Sequence, residues 1–286
     1  MTITPFRALA CPLDGSPLQR KGAAWRCTAG HGFDIAREAY INLLPVQQKR
    51  SRDPGDSKEM VAARRRHLET GSYQPIASAV ARAVLADAPA GTALACLDAG
   101  CGEGYYLRQL AVTAAARGQS LSLLGLDISK WAVQSAAKQD KGEQANWVVG
   151  SNAKLPVLTG SLDRVLCLFG FPVHAEFARV LKPGGRLLQV DAGPDHLREL
   201  REIIYPTLKP ERTAEIPTPV GFTPRATETL RYSMNLDTPE QIADLLVMTP
   251  HFFKANAEGR ERAAALQALS LTVEVRLAEF VRTSAC

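Results

Sequence analysis

The residues best able to do chemistry stand in Leu97-Asp98-Ala99-Gly100-Cys101-Gly102-Glu103-Gly104, between an apolar run and a helical pattern. A ligand that packs against backbone at a strand-to-helix turn needs residues without a β-carbon, and Gly100, Gly102 and Gly104 supply them. Other segments agree with a nucleoside-bearing ligand. Asp127 closes Gly125-Leu126-Asp127, where one carboxylate can accept both hydroxyl protons of a ribose. Ser151 and Asn152 follow Gly150 and offer small polar groups to an adenine edge, and Leu181-Lys182-Pro183-Gly184-Gly185 reads as a tight turn into a further strand. A nicotinamide or flavin dinucleotide would ask for Gly-x-Gly-x-x-Gly beneath a pyrophosphate. Here Glu103 and Gly104 follow Gly102, and an acid in the loop suits a ligand with a positive ammonium and no phosphate.

In these segments the chain resembles the class I S-adenosylmethionine-dependent methyltransferases. A second constellation lies nearer the start: Cys11, Asp14, Cys27 and His31 form a C-x2-D-x12-C-x3-H pattern. Two pairs of ligands separated by a loop is how small modules close a tetrahedral zinc site, normally with thiolate and imidazole. Two readings stay open, a metal site of these residues or a module held by packing of Leu18, Trp25 and Phe33. Lys49, Arg50, Arg52, Lys58, Arg64, Arg65 and Arg66 then crowd one short stretch. They form either a phosphate-binding surface or a solvated helix face.

Phe33-Asp34, Glu38-Ala39-Tyr40, Asn42-Leu43-Leu44-Pro45-Val46-Gln47, the run Lys49 to Ser57, Tyr73-Gln74-Pro75, Asp98 to Tyr106, Leu181 to Gly185 and Gly193-Pro194 with His196-Leu197 narrow the resemblance. From Cys11 to about Phe252 the chain is similar to the RlmA family of 23S ribosomal RNA guanine-N1 methyltransferases. The resemblance implies a zinc module, built from four cysteines or three cysteines and a histidine, that helps hold RNA. It implies S-adenosylmethionine as cofactor, with contacts at Tyr73, Gly102, Glu103 and His196 joining Asp98, Gly100, Gly104, Asp127, Ser151 and Asn152. It implies methylation of N1 of a guanine in a 23S rRNA hairpin and leaves a homodimer open; the charge run itself then puts Lys49, Arg50, Arg52, Arg64, Arg65 and Arg66 on the RNA. Core packing or loop capping is the plainer reading of His196. Asp14 stands where the family has cysteine, which predicts that zinc is held weakly or not at all, because a carboxylate is the harder ligand. Phe169-Gly170-Phe171-Pro172 stands where the family usually has a Tyr/Ala-Pro segment. These residues follow the fourth predicted strand, where the methyl acceptor is held, and Phe169, Phe171 and Pro172 either stack on the target base or pack in the core.

The elements that position these groups follow from periodicity. Strands are predicted at Ala93 to Asp98, Leu121 to Asp127, Trp147 to Gly150, Arg164 to Phe169 and Arg186 to Asp191, with helices between them. Asp56 to His67 and Ser72 to Ala88, with Pro75 near its start, read as helices. Later come a strand Arg231 to Leu236, helices Pro239 to Met248 and Arg260 to Leu269, and a β-rich run Leu271 to Val281. The two late strands are expected to close the sheet as an antiparallel edge. The expectation is a doubly wound, Rossmann-like α/β methyltransferase domain over 89–286, a basic linker and helical segment over 46–88, and a small zinc-ribbon-like module over 1–45.

Composition sets the outer limits. With 46% hydrophobic and 22% charged residues in 286, the chain can bury a core and carries no signature of disorder. Six irregularly spaced cysteines speak for reduced thiols rather than a disulfide framework. Apolar runs are strand-sized and Met1 to Ala10 lacks the apolar centre of a secretory signal, so the cytoplasm is expected. Two other functions stay in view, a small-molecule methyltransferase and an RNA-binding relative without activity. Salt-sensitive binding to a ribosomal hairpin separates the first, and a cofactor titration the second.

Overall fold

Apolar runs without alternation, such as Leu121 to Leu126, bury both faces of a strand, which is how a parallel sheet covered by helices reads. The computed structural model describes residues 3–48, 51–89, 91–142, 144–208 and 216–283. Its sheet contains β4 (Tyr40–Asn42), β5 (Leu94–Ala99), β6 (Leu121–Asp127), β7 (Ala145–Val149), β8 (Leu162–Leu168), β9 (Leu181–Ala192), β10 (Phe222–Leu236) and β11 (Leu269–Arg282). Three short strands precede them, β1 (Gln19–Lys21), β2 (Ala24–Arg26) and β3 (Gly32–Asp34), forming an antiparallel sheet of their own.

The large sheet runs β10-β11-β9-β8-β5-β6-β7-β4, parallel from β4 to β9, with β11 antiparallel to both β9 and β10. The expected doubly wound α/β fold and its antiparallel edge are therefore both present. Strand order reverses at β5, whose neighbours are β6 and β8, and ligands of such folds bind in the crevice beyond the carboxyl ends of the strands at that point.

Helices α1 (Lys58–Glu69), α2 (Gln74–Leu85), α3 (Tyr105–Ala116), α4 (Lys130–Gln139), α5 (His174–Val180), α6 (Arg198–Ile204), α7 (Pro239–Met248), α8 (His251–Lys254) and α9 (Ala257–Ala264) flank the sheet. Caps set several of their starts. Ser57 Oγ accepts from Met60 N, Ser129 Oγ from Ala132 N, and Pro75 occupies the first turn of α2. Buried Arg164 at the foot of β8 donates to the carbonyls of Val84 and Ala86 at 3.1 and 3.5 Å, satisfying the last turn of α2.

Three features depart from the sequence reading. The helix expected over Arg260 to Leu269 starts earlier and stops sooner, because the Asn256 side chain accepts from Gly259 N at 2.8 Å and Leu269 already belongs to β11. The strand expected at Arg231 extends back to Phe222. The turn at Lys182 to Gly185 lies inside β9 as a bulge, exposed from Lys182 to Gly184, between the pairs Leu162 with Leu181 and Arg164 with Arg186. The N-terminal segment also packs into the main body. Tyr40–Asn42 pairs with β7, and Phe6, Leu9, Leu18 and Trp25 share a core with Leu97, Leu124 and Val165. The composition change near residue 45 does not coincide with a gap in packing.

Candidate active site

The glycine turn begins where β5 ends. Its backbone is tied to β6 by Gly100 N and Cys101 N, which donate to the Leu126 carbonyl at 2.8 and 2.9 Å. A β-carbon on Gly100 would meet no atom within 4 Å, so this side of the turn is an open cradle. Gly104 has a different task. At φ +83° it begins α3, and a β-carbon there would lie 2.5 Å from the Trp147 ring. It lets helix and sheet approach closely.

Asp127 ends β6 beside the turn. Its Oδ2 accepts from Gly102 N at 2.9 Å and its Oδ1 from Ser129 N at 2.8 Å, which fixes the carboxylate while each oxygen keeps a second lone pair. Burial raises its pKa, and those two N–H groups oppose the rise. Asp98 is 1% exposed and neither of its oxygens has a hydrogen-bond partner. Burial, with Asp127 nearby, pushes its carboxyl up to about 8. An unpartnered buried carboxyl two residues before an open glycine cradle is an arrangement that an incoming ammonium completes. The donor set therefore fits S-adenosylmethionine, for which Asp98 would meet the ammonium and Asp127 the ribose.

Asn152 joins them from the turn after β7. Its Nδ2 donates to the Ala99 carbonyl at 3.2 Å, and its Oδ1 is buried without a partner. Ser151 pairs with Lys154 in the same turn. Glu103 does two things: its Oε2 accepts from Arg108 at 2.8 Å and Gln139 at 2.6 Å, tying α3 to α4, while its Oε1 is buried without a partner.

Aromatic residues wall the crevice at β8. Phe169 has φ +54°, a conformation a bulky residue rarely adopts and one that concentrates at functional sites. Its ring stacks on His196 at 6.0 Å and lies 6.4 Å from Tyr73. Tyr73 is buried with its hydroxyl 3.4 Å from His196 Nε2, and the His67 ring meets it edge-on at 5.1 Å. Burial pushes His196 down to about 4, so its imidazole is neutral at pH 7. Phe171, 91% exposed, projects from the loop, and Pro172 is half-buried.

The basic stretch divides. Lys49 and Arg50 lie outside the described residues. Arg52 and Lys58 are exposed, and Arg65 is an exposed residue that pairs with Glu69 at 3.6 Å. Arg66 closes its fork on Asp244 at 2.8 and 2.5 Å. Arg64 points inward, to Asp56 and to the Met248 carbonyl at 3.0 Å. Arg64 and Arg66, both expected on RNA phosphates, thus already meet the carboxylates of Asp56 and Asp244 within the fold, Arg64 from the inward face and Arg66 from an exposed one. The helical period carried the missed signal: Arg64 stands three residues after buried Val61 and three before buried His67.

Cys11, Asp14, Cys27 and His31 bring one ligand atom each to within 4.8 Å of one another. Cys11 Sγ and Cys27 Sγ lie 3.5 and 3.4 Å from His31 Nδ1, Asp14 Oδ2 lies 3.5 Å from Cys27 Sγ, and His31 Nδ1 lies 3.1 Å from Asp14 Oδ2. Zinc bonds to sulfur, nitrogen and oxygen imply tetrahedral edges of about 3.3–3.8 Å. The four residues therefore fit zinc, with Asp14 completing the set. The Ser16 hydroxyl and N–H, at 2.6 and 2.8 Å, hold the Asp14 carboxyl well below the usual carboxylate range.

Residues 9–52 match the family model described as RlmA, N-terminal, a zinc ribbon, and residues 96–185 match the model described as Methyltransferase domain. The chain is 34% identical over 278 residues to "Putative 23S rRNA (guanine-N(1)-)-methyltransferase YxjB" of Bacillus subtilis (strain 168), covering 94% of this chain and 95% of that one. It is 36% identical over 195 residues to the 23S rRNA (guanine(748)-N(1))-methyltransferase of Streptomyces fradiae, 68% of this chain and 66% of that one.

Proposed function

Because the chain belongs to the RlmA family of 23S rRNA (guanine-N1)-methyltransferases, we propose that it moves a methyl group from S-adenosylmethionine to N1 of a guanine in a 23S rRNA hairpin. The observation that carries this reading is the meeting, at one end of the sheet, of an open glycine cradle with unpartnered Asp98 and of the Phe169, His196 and Tyr73 wall. When bound, the cofactor supplies an electrophilic methyl carbon on a sulfonium.

The chain's share is alignment and exclusion of water. Asp98 pairs with the ammonium, Asp127 accepts from the ribose, and Asn152 borders the adenine. N1 of guanine faces its pairing partner, so the base must come from a loop or leave its stem. Phe169, stiffened by its backbone and by His196, is placed to stack on the exposed base, with Phe171 and Pro172 at the rim; such stacking contributes roughly 1–3 kcal/mol per base. Zinc held by Cys11, Asp14, Cys27 and His31 fixes the ribbon, and Arg52, Lys58 and Arg65 face RNA phosphates. No helix among the described residues is long and apolar enough to cross a membrane, and an rRNA substrate puts the work in the cytoplasm.

Methylation at N1 blocks Watson–Crick pairing, which gives the test. Purified protein and labelled cofactor are incubated with 23S rRNA from a strain lacking the gene, and the product is read by primer extension. One new stop at a guanine is expected. Label that enters no RNA, or enters without arresting the polymerase, overturns the assignment.

A further inference from the structure

Arg64 lies on the inward face of α1 with its side chain 24% exposed. Its Nη1 pairs with Asp56 and its Nη2 donates to the Met248 carbonyl at 3.0 Å. The same Nη1 is 3.7 Å from the point a Gly102 β-carbon would occupy, so the guanidinium overlies the glycine turn. Its charge reaches both Asp127 and Tyr73. Asp56 is itself anchored. A β-carbon on Gly55, at φ +84°, would stand 2.9 Å from Ile128 and Ser129, and Ser129 Oγ donates to the Asp56 carbonyl at 2.7 Å. The segment therefore presses directly on the turn after β6 and holds Arg64 in place. Asp56 and Met248 engage two of the five N–H groups a guanidinium carries.

The charges around the turn are otherwise acidic: Asp56, Asp98 and Asp127. Glu103 already has Arg108, and Arg201, the cation beside His196, is directed at the carbonyls of Pro194 and His196 at 2.6 and 3.3 Å. The methionine portion of the cofactor is a zwitterion, and its carboxylate would be repelled by these acids unless a cation met it. We propose that Arg64 binds that carboxylate, bracketing the glycine turn with Asp98 as a complement to the two charges of an α-amino acid. The proposal rests on the reading of this crevice as the S-adenosylmethionine site. It makes Arg64 a cofactor residue, where its place in a basic run suggested an RNA contact.

Calorimetric titration of the full chain with S-adenosylhomocysteine and with its decarboxylated analogue, S-adenosylthiopropylamine, tests it. Wild-type protein should prefer the carboxylate-bearing ligand by tenfold or more. Arg64→Ala should lose about tenfold for S-adenosylhomocysteine and less than threefold for the analogue, and Arg64→Lys should recover part of the preference. Equal losses for both ligands, or none, overturn the proposal. So does a wild-type protein that binds the two alike, a result independent of whether any variant folds. Failure of wild-type protein to bind S-adenosylhomocysteine at all would instead remove the cofactor reading on which the proposal rests.

Discussion

At the residue scale the sequence exposes chemistry more readily than direction. Asp98, Gly100 and Asp127 were legible because strand ends and glycine spacing fix where they point. Arg64 was not, since a run of like charges hides which member faces inward until the helix is formed. Asp98 makes the sharpest test. Its folded-state pKa, about 8, stands above the ordinary 3.8, so near pH 7 the ligand-free protein holds a proton there. The contribution of Asp98 to stability is therefore intact below pH 4 and is lost as pH rises toward 8. Pairing with an ammonium favours the ionised form, so binding of S-adenosylhomocysteine at pH 7 should release up to about one proton. Titrations in buffers of different ionisation enthalpy measure it, and Asp98→Asn should abolish it; proton uptake by the wild type would contradict the pairing. Asp127→Ala should weaken the same ligand by roughly 1–3 kcal/mol, because ribose hydroxyls then stay unpaired in a desolvated site, and unchanged affinity would contradict the ribose assignment.

At the scale of elements, the parallel strands and the antiparallel edge could be read from apolar runs and the spacing of turns. The Tyr40–Asn42 strand could not, because three residues carry too little periodicity and gain their place only by pairing with β7. Nor could the task of Gly104, which depends on Trp147 arriving from 43 positions further along the chain. Gly104→Ala must accept both a left-handed backbone and a clash with that ring, whereas Gly184→Ala, at φ +75° with nothing within 4 Å, accepts the backbone strain alone. Urea denaturation should show a loss of about 1–2 kcal/mol for Gly184→Ala and at least about 1 kcal/mol more for Gly104→Ala. Equal losses would show that the ring moves aside. The ribbon supplies a parallel case, in which sequence identified the ligand set but the carboxylate left its closure open. With Asp14 held ionised beside Cys27 and His31, one equivalent of zinc is expected, released to a chromogenic chelator faster than from Asp14→Cys. Release no faster than from that variant would show that the carboxylate locks the metal as well as a thiolate does.

At the scale of the molecule, a net charge of +5 matters less than where it remains uncompensated. Arg66 would have to leave a bidentate pair with Asp244 to meet a phosphate, while Arg52 borders Pro54, Ile128 and Lys130 near the carboxyl ends of β6 and β7, facing the end of the sheet where the cofactor turn opens. On the proposed reading, exposed Arg52 and Lys58, together with Arg65 in its exposed pair with Glu69, are the charges an RNA backbone reaches without opening a bidentate fork. Counterion release gives each phosphate contact a measurable signature, about 0.7–0.9 in the slope of log affinity against log salt. Replacing Arg52, Lys58 and Arg65 together by alanine should therefore flatten the slope for a 23S rRNA hairpin by about 2 and leave S-adenosylhomocysteine affinity unchanged. Arg66→Ala alone should shift the slope by less than about 0.3, since its charge is already met. Fluorescence anisotropy over a range of potassium chloride concentrations distinguishes the cases. A triple variant with the wild-type slope would return the stretch to a solvated helix face, and a large change from Arg66→Ala would mean that RNA opens the Asp244 pair on binding.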